Sequence, residues 1–331
     1  METLPMTAFK TAITLCGPLR HPRQMLQDQT YEGHASIHDE SMANNLGFSG
    51  APIEGPTHFS QFDPLLFDLF GGAWFANGCI SVHYQNMVIE GEEVRAFATP
   101  ADDKKSAVIW AEKKDGTPVL QGSASIGPNH SESELDRRRA KLRPSEQLVI
   151  LAEQHVGMKG KQDEHVVMGF DQHLGDLYPF SLNEKIKKIT EQSSWYTNEG
   201  GSQSPWGQAI IPFEMISVLT EYSARKAEIP RKGPAVGLFV DQEIKLINGP
   251  LFVNHPYRLQ REVIHLAESR RVESSWTLTK IYEEKSNLLV AECILNHSFF
   301  KSSYENYEEV AIALGKSTKY RPKLKAEGEN P

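Results

Sequence analysis

Cysteine is scarce in this chain. Cys16, Cys79 and Cys293 are its only three, odd in number and far apart. They form neither a disulfide framework nor a metal spacing, and His/Cys spacing gives no zinc site. Long hydrophobic runs are missing as well. No apolar stretch approaches the ~20 residues that a membrane span needs. The N-terminus lacks a basic region followed by a long apolar core, so it is a poor signal peptide. Positive charge is in deficit: 35 Lys and Arg against 43 Asp and Glu leave a net charge of -8. That balance favours solubility and argues against a nucleic-acid partner. The single basic run, Arg137-Arg138-Arg139, sits among Glu132, Glu134 and Asp136 and reads as a solvated helix face. Several catalytic templates are absent: a Gly-x-Gly-x-x-Gly after a strand, a phosphate-binding loop, His-Glu-x-x-His and a Gly-x-Ser-x-Gly elbow. These absences leave a soluble protein of a reducing compartment, expected in the cytoplasm, with no cofactor, no metal and no membrane contact.

What the chain has is one organising stretch, Ser36 to Phe70. It reads as a polar, histidine-bearing loop running into one apolar helix. Gly55-Pro56 opens that helix, with Pro where its missing N–H costs nothing. Phe59, Phe62, Leu65, Leu66 and Leu69 recur at helical steps, so one face is apolar. Pro64 interrupts the pattern and predicts a kink or a division into two pieces. Alternating runs follow at Ile80 to Tyr84, Glu93 to Ala98, Ser106 to Ala111 and Val119 to Ile126. Gly91-Glu92 and Asp115-Gly116-Thr117-Pro118 punctuate them as turns. A helix this apolar needs a wrapping, and the strands after it predict an antiparallel sheet curled around it.

The same organisation returns later in the chain. Ser204 to Pro212 precedes an apolar helix over Phe213 to Ala227, in which Met215, Ile216, Leu219, Tyr222 and Ser223 share a face. Strand-like runs follow at Val236 to Leu246, Tyr257 to His265, Ser274 to Ile281 and Leu288 to Phe299. Gly207, Ala209, Ile210 and Pro212 fall on Gly50, Pro52, Ile53 and Gly55 without a gap. A chain of 331 residues usually makes one large or two medium domains, and here helix plus strands repeats once.

The residues around the first helix resemble the MaoC-like hydratase/dehydratase family, which has the hotdog fold. The matching residues are Ile37-His38, Ala43, Leu46-Gly47-Phe48, Gly50, Pro52-Ile53 and Gly55. With the repeat, the resemblance implies an α+β double hotdog, two antiparallel sheets each wrapped around a central helix. The expected divisions are a first half over 1–130, a connecting region over 131–190, a second half over 191–302 and a loosely docked tail over 303–331. Two departures from the family pattern stand out. Ala43 lies one residue nearer His38 than the pattern has it, and no Asp precedes the histidine; His34 falls at that place instead.

The implied chemistry is addition of water to, or its elimination from, an acyl thioester carried on CoA or on a carrier protein. It needs a base, an acid and donors for the thioester oxygen. The candidate acid/base groups are His38, His34, Asp39 and Glu54. The candidate donors lie at the helix N-terminus, where Gly55, Thr57 and His58 have N–H groups and Pro56 has none. Trp195, Tyr196 and Trp206 are candidates for an aromatic wall around the substrate. Each has a plainer reading: Asp39 as a helix cap, His58 as a core histidine, Glu54 as a solvated loop residue and the aromatic residues as packing. The second-half stretch Ser194 to Glu199 has no histidine, so catalysis is expected in the first half alone. The rival readings are a hotdog thioesterase, with Glu54 or Asp39 directing water, and a non-catalytic acyl-binding or assembly subunit. A homodimer is an allowed assembly.

Overall fold

A computed structural model describes residues 13–31, 34–145 and 147–316, apart from the side chains of residues 31, 34 and 35. Residues 1–12 of the expected first half and 317–331 of the expected tail lie outside the described residues. The chain opens with three two-residue strands, β1 (Leu15–Cys16), β2 (Thr30–Tyr31) and β3 (His34–Ala35), then α1 (Glu40–Asn45). A 3-10 helix, Gly55–Phe62, runs into α2 (Asp63–Phe70), and α3 (Ala73–Asn77) follows. Four strands come next: β4 (Gly78–Tyr84), β5 (Val94–Pro100), β6 (Ser106–Lys113) and β7 (Pro118–Ile126). Then come α4 (Glu134–Arg139), β8 (Glu164–Val166), α5 (Leu182–Ile186) and α6 (Phe213–Glu221). The last strands are β9 (Gly237–Leu246), β10 (Tyr257–Glu268), β11 (Val272–Glu283) and β12 (Leu289–Phe300), before α7 (Tyr307–Ala313).

Ten strands form one sheet in the order β1-β5-β6-β7-β4-β9-β12-β11-β10-β8. Every pairing in it is antiparallel. The halves join edge to edge where β4 meets β9, from Cys79 opposite Lys245 to His83 opposite Asp241. The first helical run divides where Pro64 demands it. Pro64 occupies the first turn of α2, where its absent N–H breaks no bond, and the chain before it takes the tighter 3-10 form. Pro56 to Phe62 are all buried, because the sheet covers one side and α6 packs on another. Phe59, Phe62 and Leu66 share one core with Ile80, Val82, Val94, Ile109 and Leu120 of the surrounding strands. Leu66 is fully buried there. Leu66→Ala is therefore expected to cost ~2–5 kcal/mol, read as a lowered urea midpoint; an unchanged midpoint would remove the helix from the core.

Equivalent contacts give the repeat a different register from the gapless sequence match. Ile53 N donates to Val88 O, and Ile211 N donates to Leu251 O, each at 2.8 Å. Pro52 bridges Ile89 as Ile210 bridges Phe252, and Glu54 and Pro212 are the residues that precede the two helices. Ile211 thus corresponds to Ile53 and Pro212 to Glu54, one residue away from the alignment by composition. Backbone hydrogen bonds set this register, and similar residue types one place off mimic it.

Arg138 is also placed differently from a solvated face. Its Nε lies 2.6 Å from Oδ1 of Asp241, a carboxylate only 1% exposed, so α4 is tied to the seam between the halves. The apolar run Leu148 to Leu151 is a buried turn. Its Val149, Ile150 and Leu151 N–H groups donate to the Glu273 carboxylate at 2.8, 2.9 and 3.1 Å, and Tyr307 OH donates to it at 2.8 Å. Among the described residues, no helix is long and apolar enough to cross a membrane.

Candidate active site

The mouth of the first helix opens on a cavity of about 220 Å³. His38, Glu54, Gly55 and His58 line it together with Tyr178 and Tyr84. The loop that brings His38 here is pinned at its end by α1. Asp39 caps that helix, its carboxylate accepting from Met42 N at 2.8 Å. Its side chain is thereby committed to the backbone, and Asp39 is not among the cavity-lining residues. His34 lies in β3, and its side chain is outside the described part of the structure.

The His38 ring is oriented by one bond. Its Nδ1 lies 2.7 Å from Pro52 O, and since a carbonyl only accepts, Nδ1 carries the proton. The other nitrogen, Nε2, then holds the lone pair in the neutral ring. Burial pushes the His38 pKa down to about 4, the Pro52 bond opposing. Two residues beyond Pro52 stands Glu54, only 6% exposed. Its Oε1 accepts from Tyr178 OH at 2.8 Å. Burial pushes its pKa up to about 7, against the pull of the nearby Lys185 ammonium and the Tyr178 bond. Glu54 is thus a buried carboxylic acid, not a solvated loop residue.

His58 is buried on the first turn, its Nδ1 3.3 Å from Gln61 Oε1, and burial lowers its pKa to about 4. Thr57 Oγ1 accepts from Lys185 Nζ at 3.2 Å, and Thr57 N–H donates to Glu54 O at 3.1 Å. Pro56 has no N–H. Gly55, which lines the cavity, is therefore the residue at this helix end with a donor to offer. A side chain at Gly55 would have to displace the Tyr84 ring, since its Cβ would lie 2.6 Å from it.

Trp195, Tyr196 and Trp206 lie apart from this cavity. The Trp195 ring sits 5.7 Å from that of Phe75 and 6.1 Å from that of Trp206, between centres. Tyr196 OH donates to Asp63 Oδ2 at 2.9 Å, while Trp74 Nε1 donates to Oδ1 of the same carboxylate, also at 2.9 Å. Sequence reasoning missed Tyr178 and Tyr84: Tyr84 reads only as a strand residue, and Tyr178 comes from the connecting region, where neither period nor motif singles it out. The register of the repeat carries one more consequence here: the counterpart of Glu54 is Pro212, and the buried carboxylate at the second helix mouth, Glu214, stands two residues further on, 3.0 Å from Lys185 Nζ.

No family model matches the sequence. No curated protein matches it either. Solved structures do match over most of their length. A protein of Chloroflexus aurantiacus J-10-fl, described as a MaoC domain dehydratase, is 12% identical with a TM-score of 0.51, covering 88% of this chain and 96% of its own. A MaoC-like dehydratase is 10% identical with a TM-score of 0.50, covering 86% of this chain and 97% of its own. A conserved protein of Mycobacterium tuberculosis, described as having a double hotdog fold, is 7% identical with a TM-score of 0.53, covering 88% of this chain and 97% of its own. The chain has the double hotdog fold, and in that fold it is similar to MaoC-like dehydratases.

Proposed function

We propose that the protein is an acyl-thioester hydro-lyase, interconverting a 3-hydroxyacyl thioester and its enoyl form with release or addition of water. The observation that carries this reading is the meeting of His38 and Glu54 at one cavity beside the Gly55 end of the helix. Burial moves both groups toward their neutral forms, and that suits elimination: at neutral pH His38 is uncharged, and Glu54, titrating near 7, holds its proton in a large share of the molecules. Neutral His38 offers a lone pair at Nε2 and takes the proton from the carbon next to the thioester carbonyl. Protonated Glu54 gives its proton to the leaving hydroxyl, which departs as water. Gly55 N–H supports the negative charge that builds on the thioester oxygen. The proton on His38 returns to Glu54 through exchange with water, and the reverse sequence adds water. Environments that push two titratable groups apart are a common basis for an acid/base assignment.

Incubation with crotonyl-CoA and longer enoyl-CoA compounds tests the reading. Loss of the enoyl absorbance without thiol release is the expected result. Free thiol would mean a thioesterase, and binding with neither change would mean a non-catalytic acyl-binding subunit.

A further inference from the structure

A lysine is buried between the two helix mouths. Lys185 lies on α5 of the connecting segment, close to the exposed Lys187 and Lys188, yet it is only 4% exposed. Lysine is almost never buried this deeply without a partner. Leu182, Ile186 and Ile189 beside it belong to the main core, and they carry the side chain inward with them. There its Nζ donates to Thr57 Oγ1 at 3.2 Å and lies 3.0 Å from Glu214 Oε1. Thr57 is on the first turn of the first helical run, and Glu214, 1% exposed, is on the first turn of α6. One ammonium thus ties the two helix entrances together from a third segment. Replacing a buried ion pair by uncharged groups of like volume is often neutral for stability, so stability alone accounts poorly for this one.

Its place relative to Glu54 accounts for it better. Thr57 N–H donates to Glu54 O, so the ammonium is anchored at the same helix turn as that acid. Burial favours the neutral form of Glu54, and a cation in the same core favours the carboxylate left when the proton is given. Glu214 and Glu221 act against the cation as further negative charges, and the Tyr178 bond acts with it. The other ionisable groups at the cavity are His38, His58 and Tyr84. Burial keeps both histidines neutral at pH 7 and pushes the Tyr84 phenol up, so none of the three brings a positive charge to Glu54. Lys185 is the cation among these groups. We infer that Lys185 is a positioning residue of the site: its ammonium, held between Thr57 and Glu214, favours the carboxylate that Glu54 becomes when it gives up its proton. The inference rests on the reading of His38 and Glu54 as base and acid given above, and it adds a residue that acts only through Glu54. Without the ammonium, burial would hold the proton on Glu54 more firmly, and an acid works best when its pKa lies near the working pH.

The test follows the Glu54 carboxyl itself, by carbon NMR of the full chain labelled at its glutamate carboxyls, with the Glu54 signal assigned by its loss in Glu54→Gln. The double variant Lys185→Met/Glu214→Gln exchanges the pair for uncharged groups of similar size and keeps the core filled, with urea midpoints reporting the fold. In it Glu54 should titrate about 1 pH unit or more above wild type. Glu214→Gln alone keeps the ammonium and removes an opposing charge, so there Glu54 should titrate at or below the wild-type value. The alkaline limb of the pH profile for dehydration of 3-hydroxybutyryl-CoA should move with each titration, because turnover needs Glu54 protonated. A double variant in which Glu54 titrates as in wild type would overturn the inference. So would one in which it titrates lower, the mark of water reaching a loosened core. A rise in Glu214→Gln alone would overturn it too, since the ammonium is still there. If Glu214→Gln does not fold, the double variant decides by itself. The titrations need no turnover. If Glu54 titrates as expected and the wild type dehydrates no thioester, the reaction proposed above fails while the hold of Lys185 on Glu54 stands.

Discussion

His38→Ala should lower turnover of a 3-hydroxyacyl thioester by ~10²–10⁴, the usual worth of a positioned acid or base, with the fold intact. Loss of the ring removes the bond from Nδ1 to Pro52 O, a loss of about 1 kcal/mol. It strands no carbonyl, because Gln24 Nε2 also donates to Pro52 O, at 3.2 Å. The variant should therefore keep its urea midpoint nearly unchanged. His38→Asn sharpens the test. Its amide can reproduce the donation to Pro52 O but has no lone pair where Nε2 stood, so it should be as inactive as the alanine variant. Wild-type turnover in either variant would leave His38 as a loop residue and place the base elsewhere.

Glu54→Gln should lower turnover by a similar ~10²–10⁴ and change how stability depends on pH. In the folded chain Glu54 titrates near 7, against an ordinary value of 4.5. Between those two pH values the folded state keeps a proton that the unfolded state releases. Stability is therefore fully present below about 4.5, falls as pH rises, and levels off above about 7. The fall attributable to Glu54 is on the order of 3 kcal/mol. Asp63, also pushed up to about 7 by burial, contributes a fall of the same sign. His38 and His58, both lowered to about 4, act the other way, losing stability as pH drops below the ordinary histidine value. Those contributions are common to both proteins, so the difference between Glu54→Gln and wild type isolates Glu54. Glutamine still accepts from Tyr178 OH and carries no charge to bury. Near pH 5 the urea-derived stabilities should be close, and near pH 8 the variant should be the more stable. A difference that does not change between those conditions would contradict the buried-acid assignment.

The fold was legible because its signals are local. Phe59, Phe62 and Leu66 recur at helical spacing, Pro64 marks where the run divides, and each alternating stretch after the helices became a strand of the sheet. His38, Glu54 and Gly55 were legible as a group because they flank one helix entrance. Tyr178 was not, for a physical reason. It reaches the site only when the chain folds, since it lies 124 positions from the carboxylate it touches. The one-residue slip in the repeat has the same origin. Composition aligned Gly55 with Pro212, whereas backbone hydrogen bonding aligns Glu54 with it, and only the second alignment reveals that Pro212 stands where the first half has Glu54. Asp39 has the reverse lesson, because its cap to Met42 N follows from the residues beside it.

The seam where β4 meets β9 has a consequence for mass action. Were the halves separate chains, their edge-to-edge pairing would be a bimolecular equilibrium, weakened on dilution and opposed by an estimated ~4–15 kcal/mol of lost translational and rotational freedom. On one chain the same pairing is intramolecular, governed by an effective concentration that the connecting segment sets and dilution does not touch. A symmetric pair of identical subunits must also carry every substitution twice, so a change that empties one helix mouth empties both. Joined halves escape that constraint. Pro212 can stand in one half where Glu54 stands in the other, and the seam holds the two halves together at any protein concentration.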